Sequence, residues 1–196
     1  MTNKTFNTLD CSIASYQLIK KESEKYWENI KLDTCWGWQI QKDSKWKTGL
    51  SEIQLEDFQK KLGLTFSESL KNYFRTMNGL DKLGINNKAG EGEIEFGTTF
   101  YSYPDDIDTI KSQIAWILKE NNLTDNTLNV PPIIPYLGHR FLILDEEESV
   151  LSMYGNDIIF WAENLSKGLA SDIFSIHATI DTDNIKMNTF WNKRIM

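Results

Sequence analysis

Apolar residues in the first half of the chain recur at helical spacing in three stretches. Residues 12–31 predict a loosely amphipathic helix. Two shorter helices follow, and both have clear boundary signals. Ser51 can cap the first, Gln54 completes a capping box with it, and Gly63 suits a left-handed end. Ser67 can cap the second helix, which is expected to end at Asn78-Gly79. The predicted buried positions of these two helices are Ile53, Phe58, Leu62, Leu70, Phe74 and Met77.

In the rest of the chain, apolar and polar residues alternate as they do in β-strands, and two more helices are predicted between these strands. Residues 35–40 predict an extended segment with its tryptophans on one side, residues 80–92 a turn-rich loop, and residues 93–101 a strand with one polar face. Pro104 then opens a helix with Ile107, Ile110, Ile114 and Leu118 on its inner side. Four short strands are predicted at residues 132–137, 140–145, 149–154 and 157–162, and a last helix at residues 164–174.

This order of elements, helices first and consecutive strands later, is typical of an α+β fold with an antiparallel sheet. We therefore predict a single domain in which one antiparallel β-sheet of about five to six strands is flanked by helices. The domain is expected to cover residues 49–176. Residues 1–48 would form an N-terminal helical extension packed on it, and residues 177–196 a C-terminal tail. The chain length of 196 residues suits one such domain.

No segment predicts secretion or membrane insertion. The first ten residues lack the basic and apolar regions of a signal peptide, and no apolar run, including residues 114–118, is longer than five residues. The two cysteines, Cys11 and Cys35, fit neither a CxxC motif nor a disulfide framework. We expect a cytoplasmic protein without a membrane partner.

The formal net charge of -7 conceals an uneven distribution of acidic and basic residues. Residues 1–90 carry 14 basic and 11 acidic side chains, whereas residues 91–172 carry four basic and 15 acidic ones, a net charge of -11. Such a segment repels nucleic acid, whose phosphates need Lys and Arg, and attracts a basic protein. The alternative interpretation is a solvated surface that aids solubility.

The sequence contains no arrangement of reactive side chains that is typical of catalysis or metal binding. His139 and His177 lack the spacing of metal ligands. The residues from Asp181 begin like a calcium-binding loop but lack the later ligands of that motif. Motifs for a nucleophile or for phosphate binding are also missing. The acidic residues at 105–108 and 145–148 fall in a predicted first helical turn and a predicted hairpin turn, which explains them without catalysis. We expect a protein that is not an enzyme and needs no cofactor and no metal.

Two stretches of the chain resemble the SUKH superfamily, the Smi/Knr-type domain. The first carries Ser51-Glu-Ile53, Phe58, Leu62-Gly63, Leu70-Lys-Asn-Tyr73-Phe74 and Asn78-Gly79, with Thr65-Phe66 where the family usually has Leu-Pro. The second is IIPYLGHRFLILD at residues 133–145, followed by residues 150–154 and by DIIFWAENLSKGLASDIF at residues 157–174. Together they frame residues 49–174.

The resemblance implies an α+β domain with an antiparallel sheet and no catalytic residues. Many bacterial members are immunity proteins of polymorphic or contact-dependent toxin systems, and each neutralises its own toxin, often a nuclease. Fungal relatives are regulatory interaction modules, which gives an alternative function with a non-toxin partner. A carboxylate-based hydrolase is a third hypothesis, which the missing motifs disfavour.

The leading hypothesis is therefore an immunity protein that binds a basic toxin domain. An acidic protein can cover the basic active site of a nuclease and associate with it rapidly. Trp38 is a candidate aromatic anchor, although the tryptophans at 36, 38 and 46 can equally close the core under the N-terminal extension. The candidate acidic contacts are Glu91, Glu93, Glu95, Asp105, Asp106, Glu146, Glu147 and Glu148.

Overall fold

The computed structural model describes residues 1–32, 39–88, 92–123, 129–176 and 190–195, with the side chains of 87, 88, 92–94, 96 and 192 excepted. The helices are α1 (Asn3–Asn7), α2 (Ile13–Trp27), α3 (Glu52–Leu62), α4 (Glu68–Thr76), α5 (Ile107–Glu120) and α6 (Leu165–Phe174). The strands are β1 (Gln39–Ile40), β2 (Trp46–Thr48), β3 (Met77–Leu80), β4 (Gly84–Lys88), β5 (Gly92–Gly97), β6 (Ile133–Leu137), β7 (Arg140–Ile143), β8 (Val150–Tyr154) and β9 (Asp157–Ala162). A short 3-10 helix covers Asn192–Arg194. None of the helices in these ranges is long and apolar enough to cross a membrane.

The predicted helix boundaries of α3 are confirmed. The Ser51 hydroxyl accepts from the backbone N–H of Gln54, whose side chain accepts from the backbone of Ser51, and Gly63 ends the helix at φ 68°. The predicted inner stripe of this helix is wrong at Ile53, which is 79% exposed, while Leu55 is buried. Position 55 lies one helical turn before the buried Phe58 and shares its face, whereas position 53 lies off that face.

Helix α4 ends at Thr76, directly before Met77 and the predicted Asn78-Gly79 stop, but Met77, which was predicted inside the helix, and Asn78-Gly79 belong to a strand. Residues 77–80 form β3, which pairs antiparallel with β2. The Asn78 side chain donates to the Tyr103 carbonyl at 2.7 Å and accepts from the Tyr103 N–H at 2.8 Å. Because a buried amide that satisfies both backbone groups of another segment binds it firmly, this asparagine fixes the loop before α5.

The expected loop at residues 80–92 contains a strand instead. β4 pairs antiparallel with both β1 and β5 and forms a three-stranded sheet in the order β1-β4-β5. β2 and β3 form a second sheet of two strands, and β6 to β9 form a third of four. The predicted α+β class with antiparallel pairing is confirmed, but the single sheet of five to six strands is wrong, because the described strands divide among these three sheets.

The meander of four strands and the closing helix are confirmed, with strand order β6-β7-β8-β9. Apolar side chains cover both faces of this sheet. On one face, Ile134, Leu142 and Val150 join a core shared with α6 and the N-terminal helices. On the other face, Phe141, Leu151 and Met153 pack with Ile117 of α5 and with Trp191.

Helix α2 joins the main core through Tyr16, Ile19 and Trp27 and lies against α4 and α6. Trp46 of β2 is buried beside it, where its ring lies 5.7 Å from that of Trp27 and its indole N–H donates to Ser23 at 2.8 Å. Trp46 therefore closes the core beneath the N-terminal helices. The boundaries proposed at residues 48 and 176 stay predictions.

Candidate interaction surface

The candidate acidic residues lie on separate elements. Glu91 and the aromatic candidate Trp38 fall outside the described residues. Glu93 belongs to β5, but its side chain is outside the described part of the structure, whereas Glu95 on the same strand is exposed. Glu93 and Glu95 thus belong to β5, and the remaining described candidates lie just before α5 or between β7 and β8.

Asp105 and Asp106 are neighbours in the chain but lie in opposite environments. The Asp105 carboxylate is 63% exposed and pairs with the Lys47 ammonium at 2.9 Å. Asp106 is buried and accepts from the Thr98 hydroxyl at 2.9 Å and from the backbone N–H and hydroxyl of Ser102 at 2.8 Å each. The prediction that Asp106 lies on a partner-binding surface is wrong, because all three hydrogen bonds direct its carboxylate into the loop that precedes α5.

The turn between β7 and β8 is held by its own first residue. One Asp145 oxygen accepts from the backbone N–H groups of Glu147 and Glu148, both at 3.0 Å. Glu148 has a left-handed backbone with φ 50°, and Glu146 is exposed at the tip. We call residues 145–148 the acidic turn. Because these bonds restrain the backbone before any partner arrives, the acidic turn loses little conformational entropy on binding.

The acidic turn lies close to the N-terminal helices. Burial raises the pKa of Tyr16 on α2 well above 10, and the negative charge of Glu148 adds to this effect. Glu148 therefore lies near Tyr16, whereas Glu95 is on β5 and Asp105 lies just before α5. The exposed acidic candidates thus come from three separate segments of the chain.

A charged network that sequence reasoning missed links α6 to the four-stranded sheet. Asp172 accepts from the Arg140 Nε at 3.1 Å and from the Tyr136 hydroxyl at 2.7 Å. Arg140 also donates to the Ser152 hydroxyl at 2.7 Å, and its guanidinium carbon lies 3.5 Å from the ring centroid of Trp161. The sequence does contain a signal for this network, because a charged residue lies in each of two apolar segments: Arg140 in RFLI and Asp172 in LASDIF.

Burial dominates the electrostatics of this network. It raises the pKa of Asp172 from 3.8 to about 6, even though Arg140 favours the charged carboxylate. The side chains of Asp172 and Arg140 are only 6% and 16% exposed, and each oxygen of Asp172 accepts a hydrogen bond within the network. The arrangement holds the helix on the sheet. Within the described ranges, no three His, Cys, Asp or Glu side chains are grouped so that they could hold a metal ion.

Two comparisons of the sequence with known proteins give no relative of this chain. A scan against protein-family models finds no match to the chain, and a search of curated proteins finds none either. The residues themselves, and the resemblance of residues 49–174 to the SUKH superfamily, therefore provide the only indications of function.

Proposed function

We propose that the protein is a cytoplasmic immunity protein that binds a basic, nuclease-type toxin domain of a polymorphic or contact-dependent system and neutralises it. The observation that carries this proposal is the acidic turn, in which Asp145 restrains a backbone that bears three consecutive glutamates. The resemblance to the SUKH superfamily supports the same function.

The physical basis of the proposal is electrostatic complementarity. A nuclease must attract phosphate groups, so its active site is surrounded by Lys and Arg. Carboxylates on a restrained turn accelerate the encounter with such a surface and lose little entropy in the complex. Glu146 is the best placed of them, because it is exposed at the tip of the turn.

Most of the acidic candidates are kept as proposed contacts. Asp106 is omitted because its carboxylate is buried and fully hydrogen-bonded. Asp105 contributes less than its charge suggests, because Lys47 pairs with it. The proposed contacts are Glu95, Glu146, Glu147 and Glu148, together with Glu91, Glu93 and Trp38 from outside the described side chains.

The function is tested by co-expression with the C-terminal domain of a large toxin gene, if one lies directly upstream of this gene. We expect the protein to restore growth and to elute with the toxin domain as one complex in gel filtration. Continued toxicity, with no complex formed, would refute the proposal for that toxin. Binding to a non-toxin partner without protection would instead indicate a regulatory interaction module.

The surface is tested separately by measuring association rates at several salt concentrations. Glu146→Lys should reduce the association rate constant by roughly threefold to tenfold at low salt and weaken its salt dependence. Glu56→Lys is the matched control, because Glu56 is an exposed glutamate on α3 and the substitution makes the same change in net charge. Equal rates for the two variants would rule out the acidic turn as a contact.

A further inference from the structure

Tyr154 is an exposed aromatic side chain that has contacts on two sides. It ends β8 and is 69% exposed. Its ring meets that of Trp116 of α5 edge-on at 5.2 Å and that of His139 edge-on at 6.3 Å. An aromatic side chain restrained in this way loses little rotamer freedom when a partner covers it, which is a property of interface hot spots.

The turn after Tyr154 is attached to the end of α5. The Asn121 side chain donates to the Gly155 carbonyl at 3.0 Å and to the Ile117 carbonyl at 2.9 Å. Gly155 adopts φ 64°, and a Cβ atom at this position would lie 3.7 Å from the Glu120 side chain. These contacts bring Glu120 to the turn, while Asp157 pairs with Tyr154 across the hairpin.

The surroundings of Tyr154 favour a cation. Glu120 and Asp157 are exposed carboxylates on either side of the turn. Burial lowers the pKa of His139, and the positive charge of Arg140 lowers it further, so the imidazole is neutral at neutral pH and does not repel a cation. The faces of aromatic rings attract ammonium and guanidinium groups, and nearby carboxylates strengthen this attraction.

We propose that Tyr154 and Trp116, with Glu120 and Asp157, form a docking site for an arginine or lysine side chain of a basic protein partner. We call these four residues the Tyr154 site. The proposal rests on the proposed function in one respect, since it takes the basic toxin domain as the partner. Its occupant follows from charge complementarity, because an aromatic surface flanked by two carboxylates suits a cationic side chain with an apolar stem.

The first experiment measures the dissociation constant of the complex with the toxin domain. Tyr154→Ala should weaken binding by roughly tenfold to a hundredfold, mainly through faster dissociation, while Tyr154→Phe keeps the ring and most of the affinity. Tyr26→Ala is the matched control, because Tyr26 is also exposed and meets one ring, that of Phe174, edge-on at 5.6 Å. If the wild type binds but Tyr154→Ala binds equally well, the Tyr154 site is refuted and the immunity function stands.

The second experiment needs no toxin. Amide chemical shifts of the labelled protein are followed during titration with a hexaarginine peptide, and hexaglutamate serves as the control peptide. We expect saturable changes at residues 154–157 and at the Trp116 indole, and Tyr154→Ala should abolish them. Changes confined to the acidic turn, or absent at these residues, would overturn the proposal even if the toxin assay had failed.

Discussion

The carboxylate of Asp172 satisfies groups on two strands, and its removal tests whether the buried network stabilises the fold. Asp172→Ala leaves the Tyr136 hydroxyl without its acceptor and the Arg140 Nε without its ion pair. Nothing in the new alanine can replace either hydrogen bond. The helix α6 would then pack on a sheet that carries an uncompensated charge.

The expected loss of stability follows from these two contacts. A buried hydroxyl without a partner costs about 1–3 kcal/mol, and breaking a buried ion pair from one side costs about 3–5 kcal/mol. We expect the cost of breaking this ion pair to be near the lower of these values. Arg140 is 16% exposed and retains its hydrogen bond to Ser152 and its contact with the Trp161 ring. Because the two effects belong to one network and are not additive, we expect a total loss of about 3–4 kcal/mol.

Urea denaturation measures this loss as a lower transition midpoint at an unchanged slope. Asp105→Ala is the control, since it makes the same substitution at an ion pair whose side chains are 63% and 38% exposed. The control should lose no more than about 1 kcal/mol. Equal losses of stability for the two variants would show that burial does not strengthen the Asp172 network and would refute this reasoning.

Further substitutions test the pKa of Asp172, the glycine of β3 and the loop before α5. Because burial raises the pKa of Asp172 from 3.8 to about 6, the folded state binds this proton more tightly than the unfolded state does. The stability of the wild type should therefore rise relative to Asp172→Asn as the pH falls from about 6 to about 4, by up to roughly 3 kcal/mol in urea denaturation. Gly79→Ala should cost more than about 2 kcal/mol in thermal melting, because φ is +74° and the new Cβ would lie 2.7 Å from that of Ser102, whereas Gly63→Ala, with open space around it, should cost about 1 kcal/mol. Asp106→Ala should lose about 2 kcal/mol of stability through its three hydrogen bonds and leave toxin affinity unchanged, as titration calorimetry of the folded protein would show.

Elements with local signals could be predicted from the sequence. Ser51, Gln54 and Gly63 determine the two ends of α3 through contacts within a few residues of each other. The strands β6 to β9 are separated by short turns, so each strand pairs with its neighbour in the chain. For these elements the physical cause of the structure lies within the segment itself.

Elements that depend on distant partners could not be predicted. β4 contains GINNK, which has little apolar alternation, and it becomes a strand because β1 and β5 pair with it on both sides. Asn78 has the appearance of a helix stop, yet its side chain binds the backbone of Tyr103, 25 residues later. Such contacts are decided by tertiary packing rather than by local propensity.

The same distinction applies to the candidate sites. Charge can be counted along the chain, but burial cannot, and the adjacent residues Asp105 and Asp106 differ in their burial. The Arg140–Asp172 pair joins residues 32 apart in the chain. The Tyr154 site depends on α5 reaching the β8–β9 turn, which no periodicity indicates.

The acidic turn and the Tyr154 site lie at opposite ends of β8, and this placement predicts how their substitutions combine. The five residues of β8 span roughly 17 Å, while one partner of a typical complex is covered over about 800 Å², a patch wide enough to include both ends. Sites this far apart act independently, so the free-energy losses of Glu146→Lys and Tyr154→Ala should add within about 0.5 kcal/mol. The first substitution should act on the association rate and the second on the dissociation rate, as surface plasmon resonance of the single and double variants would show. A coupling above about 1 kcal/mol would mean that the toxin does not bridge the two ends as a rigid body.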